Sequence, residues 1–264
     1  MVAESADDPS CRCLVAAGGD GTVASLINEQ PSRPITVLRA GTENLFARHF
    51  HMKQSPEEVA ETIALGRVEA IDLGQTGERR FVLMAGIGFD AEVVCRHHAS
   101  RMGKAGLMRP TSRSAYVEPV LRASFGYKFP ALRMVVDDRE ELVGTTAFIF
   151  NLPRYALGLP FAPTARGDDG LLDLIVFRDA GPFRALHYLW MVFRGLHLRR
   201  DGVYHRRVSR VSVSATESVP VQLDGDPGGV VEADRLAVPW TVDVLPSAIA
   251  VMVPKSYESA AAIA

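Results

Sequence analysis

The stretch Ala17-Gly18-Gly19-Asp20-Gly21-Thr22 constrains this chain more than any other. It closes the apolar run Cys13-Leu14-Val15-Ala16-Ala17 and opens a helical pattern over Val23 to Asn28. A strand that breaks at glycines and restarts as a helix has the layout of a phosphate-binding turn, because a helix N-terminus offers unpaired N–H groups and a positive dipole end to an anion. Three glycines in four positions let the backbone take positive φ and let a ligand come close without meeting a Cβ. Asp20 sits oddly beside a phosphate, which it would repel. It fits if its carboxylate faces a metal ion or a hydroxyl about to lose its proton. The alternative is an ordinary strand–turn–helix corner with an Asp supporting its own turn.

A second copy of the pattern follows one strand–helix unit later. The apolar run Ile35 to Leu38 leads into Arg39-Ala40-Gly41-Thr42-Glu43-Asn44-Leu45-Phe46-Ala47-Arg48. The first 66 residues read as strand 13–17, helix 22–29, strand 35–38, helix 43–50 and helix 56–65. Ser55 is an N-cap, Pro56 stands at the first turn, and Gly66 is a stop signal. Short strands alternating with helices argue a parallel α/β layer. After Gly66 the period changes to two, with strands expected at 67–73, 80–86, 132–137, 144–151, 172–177, 208–215, 219–223 and 241–245. Helical inserts are expected near 113–125 and 182–197. Many short strands with turns between them suggest an antiparallel sandwich. The expected organisation is a nucleotide-binding α/β domain over 1–66, a β-sandwich domain over 67–254 and a tail over 255–264, with the active site in the cleft between the two domains.

Composition narrows the class. At 47% hydrophobic, 23% charged and a formal net charge of −2, the chain has an ordinary globular balance with no electrostatic sign of a nucleic-acid partner. Cys11, Cys13 and Cys95 make neither a disulfide framework nor a zinc set, so a reducing cytosol is the default compartment. No apolar run reaches the ~18 residues that would span a bilayer, and residues 1–10 lack the apolar core of a signal peptide.

Taken together, GGDGT at 18–22 and GTENLFAR at 41–48 resemble the catalytic domain of diacylglycerol kinases and their bacterial lipid-kinase relatives. Sphingosine kinases and, more distantly, NAD kinases share the first motif. Gly86-Ile87-Gly88-Phe89-Asp90-Ala91, Asp169-Gly170-Leu171-Leu172-Asp173 and Val221-Gln222-Leu223-Asp224-Gly225-Asp226 extend the resemblance over nearly the whole chain. It implies a small Rossmann-like α/β domain followed by a β-sandwich, and transfer of the γ-phosphate of ATP to a lipid hydroxyl with Mg²⁺. Gly18, Gly19, Asp20, Gly21, Thr22 and Thr42 carry over as nucleotide contacts. Asp169, with the carbonyls of Arg166 and Leu171, carries over as a magnesium site. Asp226 takes the place of the family's proton-accepting Glu, and Asp20 competes for that role. The chain departs from the pattern at Ala24-Ser25, where the family has Asn-Glu, and at Leu45, where it has Asp. The family also carries a strand, phosphate loop and further elements before GGDGT, on the order of 50 residues. With 17 residues before Gly18, the expectation is an N-terminally incomplete α/β domain whose strand 13–17 is an uncovered edge. An NAD kinase-like enzyme and a non-catalytic nucleotide- or lipid-binding remnant are the alternatives.

The lipid side rests on weaker signals. Residues 96–113 hold Arg96, Arg101, Lys104, Arg109 and Arg113 without an acid, and residues 194–210 hold six arginines. Phe183, Leu186, Leu189, Trp190, Phe193 and Leu196 form one apolar stripe at helical spacing. It either lies on an anionic leaflet at the inner membrane face or packs on the sandwich beneath solvated arginines, the commoner arrangement. A homodimer stays open.

Overall fold

The computed structural model describes residues 10–101, 126–233 and 238–258. The two N-terminal apolar runs form β1 (Leu14–Gly18) and β2 (Ile35–Arg39), which pair in parallel from Leu14↔Ile35 to Gly18↔Arg39. Parallel neighbours need a crossover. Here it is α1 (Asp20–Asn28), which buries Val23 and Ile27 against the sheet. α2 (Leu45–His49) and α3 (Pro56–Leu65) follow. α3 begins as its sequence dictates, with the Ser55 hydroxyl accepting the Glu58 N–H at 3.3 Å. It ends at Gly66, whose φ of 67° is the left-handed cap that favours glycine.

The remaining strands build two sheets. They are β3 (Val68–Thr76), β4 (Arg79–Phe81), β5 (Met84–Gly88), β6 (Leu132–Val136), β7 (Glu140–Gly144), β8 (Thr146–Phe150), β9 (Leu172–Phe177), β10 (Val203–Val208), β11 (Arg210–Ala215), β12 (Val219–Leu223), β13 (Asp226–Val231) and β14 (Trp240–Met252). One sheet runs β1-β2-β14-β11-β6-β7, with β3 and β4 attached through β14; the other runs β10-β9-β8-β5-β12-β13 and is antiparallel throughout. The faces of β6, β7 and β11 pack on one face of the second sheet, with Leu132, Met134, Val211 and Val213 against Ile87, Ile149, Leu174 and Val176. The opposite face of that second sheet carries Met84, Phe148, Phe150, Ile175 and Phe177, which belong to the core shared with α1 and α2. Both faces of β8 and β9 are therefore covered. That explains why Thr-Ala-Phe-Ile-Phe and Leu-Asp-Leu-Ile-Val-Phe read as near-continuous apolar runs rather than as alternating ones.

The first 66 residues do not form a separate sheet. β14 pairs with β11 at its start and meets β2 in parallel at Val251↔Ile35 near its end, so one strand ties the α/β layer to the sandwich. Among the described residues β1 pairs with β2 alone. Several elements differ from the sequence-based expectation. The run 80–86 splits into β4 and β5, and α4 (Phe89–Arg101) was not expected. The expected insert at 113–125 lies outside the described residues, as do Lys104, Arg109 and Arg113 of the first basic cluster. The helix expected at 182–197 is α5 (Pro182–Phe193), followed by a 3-10 turn at His197–Arg199. It buries Tyr188, Met191 and Val192, leaving the apolar stripe on its outer side.

Candidate active site

The two glycine turns hold each other. Gly19 caps α1 in extended backbone, and its carbonyl accepts the Thr22 and Val23 N–H groups at 3.0 and 3.2 Å. None of Gly18, Gly19 or Gly21 has positive φ, so the expectation of left-handed backbone there is corrected. Glycine is needed for proximity instead: a Cβ on Gly41 would stand 2.5 Å from Gly19 Cα, and one on Gly19 would stand 3.0 Å from Gly41 Cα. Gly21 differs, because a Cβ there would enter space whose nearest heavy atom is Asp226 Oδ2 at 3.8 Å.

Asp20 turns its carboxylate onto the start of α2. Its Oδ2 and Oδ1 accept the N–H groups of Leu45 and Phe46, each at 2.9 Å, so it caps α2 from 25 residues away. Burial raises its pKa, while these two amides pull it back down. Asn44 completes the lacing. Held at φ 50°, a region that Asn tolerates, it accepts the Gly41 N–H at 2.9 Å and donates to the Gly41 carbonyl at 2.6 Å. Leu45, where the family pattern has Asp, is buried in the core beneath the turn. Ser25 turns its hydroxyl onto the Gly21 carbonyl at 3.0 Å.

The last acidic motif approaches from the other side. Asp224 is buried and accepts three backbone N–H groups, from Val82, Leu83 and Met84, at 2.8 to 3.0 Å. Burial pushes its pKa up to about 6 against the pull of those amides. It is a structural anchor that fixes the β12–β13 turn, and the turn then presents Asp226. That carboxylate is about half exposed (49%), and its Oδ1 lies 3.9 Å from His98 Nδ1 on α4. Gly19, Asp20, Gly21, Thr22, Thr42 and Asp226 therefore line one cavity, of about 810 Å³.

From the turns the cavity continues between α4, α5 and the second sheet, and there it is apolar. Phe148, Phe161, Phe177, Val93, Leu189 and Val192 line it. Phe161 packs on Phe148 and Phe150 at centroid distances of 5.4 and 5.8 Å, making an aromatic wall. One acid interrupts this lining. Asp90 accepts from Gln222 Nε2 at 2.9 Å and from the Tyr155 hydroxyl at 3.4 Å, and burial raises its pKa to about 6. The Gly-Phe-Asp-Ala motif gave no role to Asp90. The available signal was an acid two residues after a buried glycine-ended strand, a position where a carboxylate needs a reason.

The expected metal ligands lie elsewhere. Asp169 is not part of the cavity lining. Its Oδ1 accepts the Leu171 N–H at 3.2 Å, its Oδ2 is bonded by the Arg207 guanidinium, and Arg166 Nε stands 4.0 Å away. The carboxylate is already engaged by the Arg207 guanidinium, so as arranged it does not offer the open oxygen ligand that a magnesium ion needs. Among the described residues no three His, Cys, Asp or Glu side chains cluster as a metal site.

A glycine turn at a helix N-terminus, with the carboxylate of Asp226 on the same cavity, is an arrangement compatible with a phosphotransferase. Residues 1–76 match the diacylglycerol kinase catalytic domain, and residues 84–253 match the YegS C-terminal NAD kinase beta sandwich-like domain. A diacylglycerol kinase of Mycobacterium tuberculosis (strain CDC 1551 / Oshkosh) is 30% identical over 242 residues, covering 88% of this chain and 76% of the relative. One of Staphylococcus carnosus (strain TM300) is 27% identical over 247 residues, covering 88% and 75%. A crystal structure of a diacylglycerol kinase from Bacillus anthracis str. Sterne superposes with a TM-score of 0.64 at 17% identity, covering 94% of this chain and 79% of that one. The chain belongs to the diacylglycerol kinase catalytic-domain family.

Proposed function

We propose that this chain is an ATP-dependent lipid kinase, moving the γ-phosphate of ATP to the hydroxyl of a diacylglycerol-like acceptor drawn from a membrane surface. The observation that carries this reading is a continuous cavity of about 810 Å³, with the glycine turn and Asp226 at one end and an aromatic, apolar passage at the other. A volume of that order suits a small-molecule site. Its division suits a polyanionic donor meeting an acceptor with acyl chains.

Phosphoryl transfer asks for positioning, charge neutralisation and a proton acceptor. In this reading Gly18, Gly19, Asp20, Gly21 and Thr22, with Thr42, hold the triphosphate at the N-terminus of α1. Asp226 takes the proton of the acceptor hydroxyl as that oxygen bonds the γ-phosphorus. The bond from the γ-phosphorus to the bridging oxygen breaks, and ADP leaves with the electron pair. Asp226 is favoured over Asp20 as base because it is half exposed and faces Gly21, whereas both Asp20 oxygens are occupied by backbone amides. Asp20 is a positioning residue. Magnesium enters as the counter-ion that the nucleotide carries, and Asp169 contributes no step. The cleft is assigned to a boundary between an α/β domain over 1–66 and a sandwich domain over 67–254.

The test offers ATP labelled at the γ-phosphate with dioleoylglycerol, sphingosine or NAD as acceptor. Label in phosphatidic acid supports the reading. Label confined to NADP assigns NAD-kinase chemistry, and nucleotide binding without transfer to any acceptor makes the chain a binding protein.

A further inference from the structure

The outer side of α5 is unusual for a helix that already has a core face. Tyr188, Met191 and Val192 point inward, yet the opposite arc of about 120° at 100° per residue consists of Leu189, Phe193, Leu186, Trp190 and Phe183. Phe183, Trp190 and Phe193 are 77%, 55% and 70% exposed. A helix that is apolar on all sides belongs in a core or in lipid, not in water. The polar groups stand around this arc rather than within it. Arg184 pairs with Asp179 at 3.6 Å at its N-terminal end. Arg194 lies 6.0 Å from the Trp190 ring, and Arg199 and Arg200 are exposed just beyond the helix.

Ala185 and Val192 wall the cavity, and Leu186 and Leu189 of the arc also border it, so the arc runs from the cavity lining to the exposed Phe183, Trp190 and Phe193. α5 therefore joins the apolar passage to an exposed apolar surface with a basic collar. Charge decides the occupant. An isologous contact with a second copy would bring two basic collars onto each other, whereas an anionic leaflet complements the collar and accepts the aromatic side chains below its headgroups.

We propose that the exposed face of α5 is the membrane-docking surface of this protein. It inserts Phe183, Trp190 and Phe193 into an anionic leaflet and so sets the mouth of the acceptor passage at the level of the acyl chains. This deepens the lipid-kinase reading and rests on it for the role of the passage. The docking itself is testable without any turnover.

The experiment is cosedimentation of the full chain with vesicles of phosphatidylcholine, with and without phosphatidylglycerol, in the absence of nucleotide. Trp190 emission is read alongside, and turnover on a monomeric short-chain diacylglycerol is measured separately. The parent is expected to bind the anionic vesicles with a blue shift of Trp190. The triple variant Phe183→Ser, Trp190→Ser, Phe193→Ser is expected to lose binding at least tenfold while keeping its short-chain turnover, since none of the three lines the cavity. Arg199→Ala and Arg200→Ala are each expected to cost about fivefold, and less at high salt. Equal vesicle binding by the parent and the triple variant overturns the proposal. So does a parent that ignores vesicles and is a dimer which the triple variant turns into a monomer, because a second copy then covers the face. Failure of the kinase reading looks different: no turnover on any acceptor, with vesicle binding intact.

Discussion

Two glycines two positions apart in the first turn, Gly19 and Gly21, are expected to respond in opposite ways to the same added methyl. At Gly19 the methyl meets Gly41 Cα at 3.0 Å, tighter than ordinary contact, and the neighbour is backbone that cannot rotate away. Overpacking of this kind costs about 1–3 kcal/mol, so Gly19→Ala lowers the urea midpoint and weakens nucleotide binding only secondarily, by pushing the two turns apart. At Gly21 the methyl enters open space 3.8 Å from Asp226 Oδ2 and sits on a helical residue of α1. Replacing glycine within a helix gains about 0.5–1 kcal/mol, so Gly21→Ala keeps or raises stability. Its methyl nevertheless fills the volume that a phosphate oxygen must occupy to lie about 2.9 Å from the α1 N–H groups. A tenfold loss in ATP affinity, about 1.4 kcal/mol, is the minimum expected. The assay is a urea melt of each variant, with and without ATP. At 100 times the parent Kd, ATP should stabilise the parent by about 2.7 kcal/mol and Gly21→Ala by roughly half of that. Parent-like stabilisation of Gly21→Ala by ATP would refute the assignment of the turn to phosphate. A Gly19→Ala variant as stable as the parent would instead refute the packing role given to that glycine.

Three further outcomes follow from the site. Asp226→Asn should lower turnover by roughly 10²–10⁴ with little change in ATP affinity, and Asp20→Asn should lose stability by about 1–3 kcal/mol because one α2 amide is left without its acceptor; an active Asp226→Asn beside a stable but dead Asp20→Asn reverses the roles. In the absence of nucleotide, magnesium should leave the melting temperature of the parent unchanged, because Arg207 already neutralises Asp169; a magnesium-dependent rise that persists in Gly21→Ala would place a metal at Asp169. The Asp90 pKa is raised from 3.8 to about 6, so the folded state holds this proton more tightly than the unfolded chain. Its stabilisation is fully present below about pH 4 and lost as pH rises through about 6, at about 1.4 kcal/mol per pKa unit. The stability of the parent relative to Asp90→Asn should therefore grow as pH falls from 7 to 5, and a flat difference would show that Asp90 stays charged.

Much of the fold was legible because local signals agreed with tertiary demands. Pro56 to Leu65 carries its own cap, first-turn proline and terminal glycine, and its bounds were read without error. β9 and β12 were also read to the residue, as dense β-branched runs between turns. The misses have physical causes. Phe89 to Arg101 mixes His, Arg and Cys around a narrow buried face of Ala91, Val93, Val94 and His97, so its helical period is faint. β13 opens with Asp-Pro-Gly-Gly, which reads as a turn, and β10 carries His205-Arg206-Arg207 on an outer strand. β14 seemed to stop at Leu245 because Pro246 and Ser247 break the pattern. The strand continues through an irregularity in which the Ser247 N–H goes to Asp72 Oδ1 at 2.7 Å, a partner 175 residues away.

The site shows the same division. Motif spacing brought the two turns and Asp226 into one reading, and they do share one cavity. It could not say that Asp20 spends its carboxylate on Leu45 and Phe46, or that Asp169 is held by Arg207, because both contacts are made in three dimensions. The apolar passage was invisible for the same reason, since its walls come from β8, β9, α4 and α5.

The most direct measurement of the central claim is photolabelling with a diacylglycerol that carries a diazirine in one acyl chain. The protein is irradiated with ATP present and digested, and the adducts are located by mass spectrometry. The account predicts labels on Phe148, Phe161 or Phe177 of the aromatic wall and on Leu189 or Val192 of α5, all suppressed by unlabelled diacylglycerol. Labels confined to surfaces outside this cavity, or labels there that unlabelled lipid does not displace, would contradict it.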